Sequence, residues 1–505
     1  MGIAVARRSA RGLAWAAYLR PAVGLVGLAL LAAVSRISSL DVPLDRDTGV
    51  YLYGGQTILH GGVPYLDAAD NKGPLTALLF APISLLAGTS AEAVRFSLVA
   101  FMAVAALAVA GYVARFAGAA TGAVAGVTLA MIGSTHRLEG DDANTEQYGI
   151  APMAVAWYLA SRGTRRSAVG AGAATAAAVC MNIGFAPVGP FIAFELWRSG
   201  PGRERGGRFA AAAAGFAAVT VPILVWLGLA GALGDMRAQM LGQATEAVSG
   251  QLTGGQRLGL LQMPPPYVAL ALTALGGCAA AALTERRLRA VAAPVALWIV
   301  AMTARVKLSS YADGQAYFPA MPGIAAGLAL GVAAVWAWLG DRWADTVARR
   351  LAIAAVLLTV IAVPYVVVPQ WQQLQRAPSA RLASDDLSLS LAYPVAGFIR
   401  ATTPRDARIF VAGSDAEVYW LAGRRAPTRF FHAYPLRWDP RYRVERARAL
   451  AAHPPAAVVV LPGARQRERA FFADVQRLLR RDRYVLRFTR DGGRVWLLDR
   501  SAPAR

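Results

Sequence analysis

From residue 21 to 369 the chain is a succession of apolar stretches almost free of charge, and no other feature constrains its fold as much. The stretches fall at 21–36, 92–114, 118–134, 149–161, 167–185, 186–197, 207–231, 266–283, 290–304, 315–339 and 351–369. Several approach the ~20 residues that cross a bilayer core as a helix; 149–161 and 186–197 are short, and the second contains Pro187 and Pro190. Only 16% of the 505 residues are charged and 56% are hydrophobic, whereas a soluble chain averages about 25% charged. The sequence beyond 369 reads as ordinary soluble protein. The expected fold is a polytopic α-helical membrane protein over residues 1–375, with outer loops at 41–91 and 135–148. A small soluble α/β domain is expected at 376–505.

Charge orients the chain. Lysine and arginine number 52 against 30 acids, a formal net charge of +22. In a soluble protein that excess would suggest nucleic acid. Here many arginines occupy short loops between apolar stretches, where they set topology and contact anionic lipid, so no nucleic-acid partner is expected. The first stretch follows Arg7, Arg8, Arg11 and Arg20 without a convincing cleavage site, and reads as an uncleaved span with a cytoplasmic N-terminus. Parity then decides the segment 74–90. If it does not span, the arginine clusters at 115, 162–166, 198–208, 286–289 and 342–350 all fall on the N-terminal side. It is therefore expected to lie at the outer interface as an amphipathic helix, leaving about eleven spans and an outer C-terminus. Cys180 and Cys278 both lie inside apolar stretches and support neither a disulfide framework nor a thiolate metal site.

With this topology the unusual polar residues collect on one side, in loops at 41–73, 135–148, 232–265 and 305–314. In the first loop Asp45 and Asp47 flank Arg46 ahead of a short helix at 48–60. Either acid could take a proton from an attacking hydroxyl, ligate a cation, or simply cap the helix. Lys72, in Asp70-Asn71-Lys72-Gly73-Pro74, is either a grip for a lipid phosphate or a snorkelling cation. The second loop packs His136, Arg137, Glu139, Asp141, Asp142 and Glu146 into eleven positions. It is a solvated loop with Asn144 or Thr145 capping the next helix, or a weak divalent-cation site without diagnostic spacing. Arg305 and Lys307 end the ninth span, as interfacial anchors or as a phosphate clamp. No phosphate-cradling GxxxxGK[ST], dinucleotide GxGxxG, HExxH or GxSxG context occurs, so any reaction must draw its energy from the substrate.

Three runs in the first loop carry a resemblance: Asp45-Arg46-Asp47-Thr48-Gly49-Val50-Tyr51-Leu52-Tyr53, then Leu59 to Pro64-Tyr65, then Asp70-Asn71-Lys72-Gly73-Pro74-Leu75. Together with Asn144-Thr145-Glu146, the charged end before Tyr317-Phe318-Pro319, and the stretches 403–413 and 416–424, they resemble the GT-C glycosyltransferases. The pattern is nearest the bacterial family 39 proteins, akin to protein O-mannosyltransferases and the lipid A aminoarabinose transferase. The resemblance implies transfer of a sugar from a polyprenyl-phosphate carrier to a glycan, lipid or protein acceptor outside the membrane. It makes Asp47 the catalytic carboxylate and matches Glu146 to the second-loop acid. Asp45, Tyr51, Lys72, Arg305 and Lys307 become candidate substrate-binding residues. Where many relatives have Asp-Glu this chain has Asp47-Thr48, and where they often have Pro-Pro it has Gly73-Pro74. Inversion by one displacement is implied, with Asp47 as general base and the leaving phosphate met by cations. No cofactor is required by the sequence; a divalent cation, with Asp47, His136 and Glu146 as candidate ligands, is left open. The site and the C-terminal domain are expected on the periplasmic or extracellular side of the inner (plasma) membrane.

In the C-terminal region 404–413, 455–462 and 483–499 read as strands, and 390–401, 415–422, 441–452 and 466–480 as helices. Two other functions compete with transfer. A transporter or flippase of lipid-linked glycans would place charges near the bilayer midplane. A membrane scaffold or sensor would use the C-terminal region as output.

Overall fold

The computed structural model describes residues 23–24, 26–37, 40, 42–135, 140, 142–249, 263–284, 286–308, 314–340, 387–462, 464 and 469–499. The apolar stretches form helices: α1 (Arg46–Leu59), α2 (Pro74–Ala87), α3 (Ala91–Ala117), α4 (Ala119–Ile132), α5 (Thr145–Ser161), α6 (Arg165–Met181), α7 (Val188–Arg198), α8 (Arg205–Leu229), α9 (Leu233–Ser249), α10 (Pro265–Thr284), α11 (Arg286–Leu308) and α12 (Met321–Gly340). Among the described residues five helices are long and apolar enough to cross a membrane: α3, Gly202–Leu229, α10, Arg286–Val306 and Gln315–Ala337. The apolar stretch at 351–369 lies outside the described residues.

Helix ends follow local chemistry. Ser90, Asn144 and Thr164 each accept a backbone N–H at the start of their helix, satisfying donors that have no intrahelical partner. The apolar run is interrupted ahead of Pro187: Asn182 ends α6, a 3-10 turn follows at Ile183–Phe185, and α7, only 11 residues long, starts at Val188. The segment 74–90 forms a helix of 14 residues, at about 1.5 Å per residue too short for a ~30 Å hydrocarbon core. It is not amphipathic in the expected sense. It carries no charged residue; Phe80, Ala81 and Ile83 are buried, and Leu85 and Leu86 are exposed. The loop expected over 232–265 opens with a helix, α9.

The helical region packs α6 on α8, α10 on α12, and α3 on α4 and α5. A stacked Trp157–Trp298 pair, with ring centroids 4.5 Å apart, lies at the centre of its core. Two buried arginines tie its polar ends together. Arg36 donates to Ser134 Oγ and to the carbonyls of Gly133 and Gly140. Arg95 donates to the carbonyls of Val42 and Pro43 and lies 3.7 Å from Asp142.

The C-terminal region begins, among the described residues, with α13 (Leu387–Thr402). It continues through β1 (Ile409–Ala412), α14 (Glu417–Ala422), α15 (Pro440–Ala452), β2 (Ala457–Val460), α16 (Arg469–Arg481), β3 (Tyr484–Arg490) and β4 (Gly493–Leu498). The sheet order is β1-β2-β4-β3, with β1 parallel to β2 and the other pairs antiparallel. What reads as one strand segment at 483–499 is a hairpin. Asp491 (φ 47°) and Gly492 (φ 84°) make the two-residue turn that matches strand twist. The inward face of this sheet shares one apolar core with the first loop: Tyr51, Tyr53, Phe80 and Ile83 are clustered with Val395, Ile409, Val459 and Trp420.

Candidate active site

The site is built around α1. Asp45 and Asp47 were interchangeable as caps in the sequence, and the fold separates their roles. Asp45 Oδ1 accepts the Thr48 backbone N–H at 2.6 Å and caps the helix. Asp47 is thereby left in the first turn, where its Oδ2 accepts from Asn144 Nδ2 at 3.2 Å. At 100° per residue, Tyr51 lies within about 40° of Asp47 on the helix surface, and its hydroxyl donates to Asn144 Oδ1 at 3.0 Å. Asn144 also bonds Gln315, so it links α1, α5 and the turn after α11.

Lys72 arrives from the turn that precedes α2. That turn is tightly determined. Tyr65 sits in the left-handed region (φ 71°), a conformation that a bulky residue adopts only where the surroundings impose it. Its hydroxyl donates to the Lys72 carbonyl at 2.8 Å. Gln239 of α9, fully buried, accepts the Asp70 backbone N–H at 2.9 Å and donates to the Tyr65 carbonyl at 3.2 Å. The Lys72 ammonium lies 4.0 Å from Glu146 Oε1 and 6.0 Å from the centre of the Tyr51 ring. Glu146 is fixed in turn by Asn182 Nδ2 at 3.0 Å and by the Thr145 hydroxyl at 2.7 Å. At the rim, Arg305 donates to the carbonyls of Gly184 (3.0 Å) and Ala316 (2.7 Å), while its buried Nε has no partner.

Electrostatics follow from this crowding. Burial by itself would lower the Lys72 ammonium, but the carboxylates of Glu146, Asp47 and Asp70 outweigh it and hold the group above its ordinary value. Burial, with the charge of Asp47 second, pushes Asp45 up from 3.8 to about 6. Burial also pushes Asp70 up to about 6, against the opposing pull of Lys72. Burial and the neighbouring carboxylates raise the Tyr51 hydroxyl well above its usual range, so it stays protonated as a donor. The result is an ammonium held charged among acids.

Five of the predicted site residues, Asp47, Tyr51, Lys72, Glu146 and Arg305, converge from four segments far apart in sequence, and Asp45 supports them as the cap. His136 and the Lys307 side chain lie outside the described residues. Among the described residues no three His, Cys, Asp or Glu side chains gather as metal ligands. Asp47 and Glu146 are held by side-chain amides, with the Lys72 ammonium 4.0 Å from Glu146. Asn182, Gln239 and Gln315 were not found by sequence reasoning. Asn182 does interrupt an apolar stretch, which is a usable signal; Gln239 and Gln315 show none.

No protein-family model and no curated protein matches the sequence. Solved structures do. ArnT from Cupriavidus metallidurans bound to undecaprenyl phosphate superposes with a TM-score of 0.63 at 15% identity, over 95% of this chain and 99% of that one. The apo form of the same protein gives a TM-score of 0.56 at 14% identity, over 95% and 98%. ArnT is the lipid A aminoarabinose transferase, a GT-C glycosyltransferase. This chain has the GT-C fold. The superposition extends over nearly the full length of both chains.

Proposed function

We propose that the protein transfers a sugar from a polyprenyl-phosphate donor to an extracytoplasmic acceptor with inversion, Asp47 acting as general base. The observation that carries this reading is the pairing of roles on α1. One carboxylate is consumed by the helix cap, and the next is free of that duty, beside an ammonium fixed by Glu146. The donor's phosphate is already a good leaving group. Lys72, aided by the unpartnered Nε of Arg305, would meet its developing charge, and donors preset for that charge need no reorganisation during reaction. Asp47 would orient an acceptor hydroxyl and accept its proton as oxygen attacks the anomeric carbon from the face opposite the phosphate. The apolar α2, with Leu85 and Leu86 exposed, would be one wall for the prenyl tail. In this reading the membrane part has about eleven spans and a cytoplasmic N-terminus, with the site and the C-terminal region outside. The sugar is a hexose or a pentose, and the acceptor a glycan, lipid or protein.

Buried charges of the helical region support transfer at a membrane face over transport through it. Arg95, Glu195 and Arg208 each lie within two turns of a helix end, whereas transporters place substrate sites near the bilayer midplane. The decisive test is Asp47→Asn, which keeps the size and the Asn144 contact but removes the base. Transfer from a polyprenyl-phosphate sugar is expected to fall by about 10²–10⁴-fold with thermal stability unchanged. Turnover near the wild-type rate would remove Asp47 from the mechanism.

A further inference from the structure

A second cleft lies on the other side of α1. Counting 100° per residue from Asp47, Tyr53, Gln56, Thr57 and His60 fall roughly 180–280° around the helix, away from the candidate active site. These residues, the turn after α1 and the strand-edge segment 425–429 enclose a cleft of about 360 Å³. Its charge is one-sided. Arg408, Arg425 and Arg429 line it against a single carboxylate, Asp67, whose Oδ2 already accepts the Val63 N–H at 2.7 Å. Arg429 is spoken for by Asp235 (2.5 Å) and Glu445 (2.8 Å). Arg408 and Arg425 have exposed side chains, and among the described residues neither has an ion-pair partner.

Backbone pairing forces these two arginines together. They are partners in an isolated parallel bridge, with the Ile409 N–H bonded to the Arg425 carbonyl at 2.9 Å. Both line the cleft together with Tyr53. The obvious internal use for such cations, compensating the C-terminal end of α1, is already met. The carbonyls of Gln56, Thr57 and Ile58 are taken by the N–H groups of His60, Gly61 and Gly62, and by the His60 ring at 2.7 Å from Gln56 O. The Gln56 side-chain oxygen is buried in this wall without a partner. Two like charges held side by side in a concave, partly apolar setting repel unless an anion lies between them, and such a setting focuses their field.

We propose that this cleft is a second anion site, taking a phosphate group through the guanidinium forks of Arg408 and Arg425. Planar, always-charged forks match phosphate oxygens two at a time, which a lysine cannot do. The proposal stands whether or not Asp47 is a catalytic base, because it uses none of the residues around Lys72. The phosphate could come from a lipid headgroup or from a soluble phosphate-bearing molecule.

The test measures binding of radiolabelled inorganic phosphate to the full-length protein in detergent at low ionic strength. Arg408→Ala/Arg425→Ala is expected to weaken the cleft's binding at least tenfold. Arg408→Lys/Arg425→Lys should recover part of the loss, and Lys72→Ala should leave the cleft's binding in place. Two nanodisc preparations separate the sources. If headgroups reach the cleft, phosphatidylglycerol discs suppress phosphate binding relative to discs of digalactosyldiacylglycerol, which carries no phosphate; if not, the two agree, and a soluble phosphate is the ligand. Wild-type binding by the double alanine variant, or loss of all binding in Lys72→Ala, would overturn the proposal.

Discussion

Asp45 and Asp47 are two residues apart and chemically identical, yet position on α1 gives them different work. Asp45 caps the helix and is pushed up to about 6 by burial and by its neighbour's charge. A carboxyl raised in the folded state contributes stability that is fully present below about pH 4 and is lost as pH rises through about 6. Asp45→Asn keeps a good capping acceptor and removes the titration. The melting temperature of that variant in detergent is expected to decline less between pH 4 and 7 than that of the wild type. An unchanged slope would assign the pH dependence elsewhere. Lys72 is the other residue whose setting is specific. Lys72→Ala removes the ammonium that Glu146 fixes, and donor binding is expected to weaken about tenfold, the size of one charge-assisted hydrogen bond. Unchanged donor affinity in a direct binding assay would end its assignment as the phosphate grip.

At the scale of elements, α1 is held from two sides with almost no clearance. A Cβ on Gly55 would lie 2.4 Å from the Phe80 carbonyl carbon of α2, and one on Gly49 would lie 2.4 Å from the Glu417 backbone nitrogen at the start of α14. Backbone lines both gaps, so no side chain can move aside. Gly49→Ala must push α1 and α14 apart, at about 1–3 kcal/mol for an overpacked contact. It should lower both the melting temperature and turnover, because the same shift displaces Asp47. A Gly49→Ala protein with wild-type melting behaviour would contradict this packing. The Arg46–Asp415 pair (2.8 Å) fastens the same end of α1 to the C-terminal region, with Asp415 buried. Tyr53, which packs on Phe431 at 4.2 Å and accepts the Ala426 N–H at 2.9 Å, fastens its middle.

For the molecule as a whole, these contacts make the C-terminal region part of the site's foundation. Trp420 is buried and donates to Ser84 of α2 at 2.8 Å, and the core it belongs to includes Tyr51 and Phe80. A chain ending at residue 375 would expose that apolar face, and burial of such faces is the main favourable term in folding. The shortened protein is expected to insert into membranes, lose transfer activity and aggregate in detergent. Full activity from residues 1–375 alone would show that α1 holds its position without the C-terminal region.

Periodicity and composition determined the helical membrane character, the strand and helix order after residue 386 apart from the β3–β4 hairpin, and the loops that hold the polar residues. Each of these depends on local patterns of apolar and charged side chains, which a sequence displays directly. The resemblance pointed to Asp47 and Lys72 in the first loop and to Glu146 in the second before any geometry was known. Which of Asp45 and Asp47 caps α1 was decided by the fold, because both satisfy the same local rule. Gln239 and Gln315 are ordinary polar residues until α9 and the turn after α11 bring them to the site. The arginine cleft is invisible in the sequence for the same reason: Arg408 and Arg425 are neighbours only across a backbone bridge, and His60 reaches them from some 350 positions away. Contacts between distant segments depend on how whole elements pack, and no local pattern encodes that.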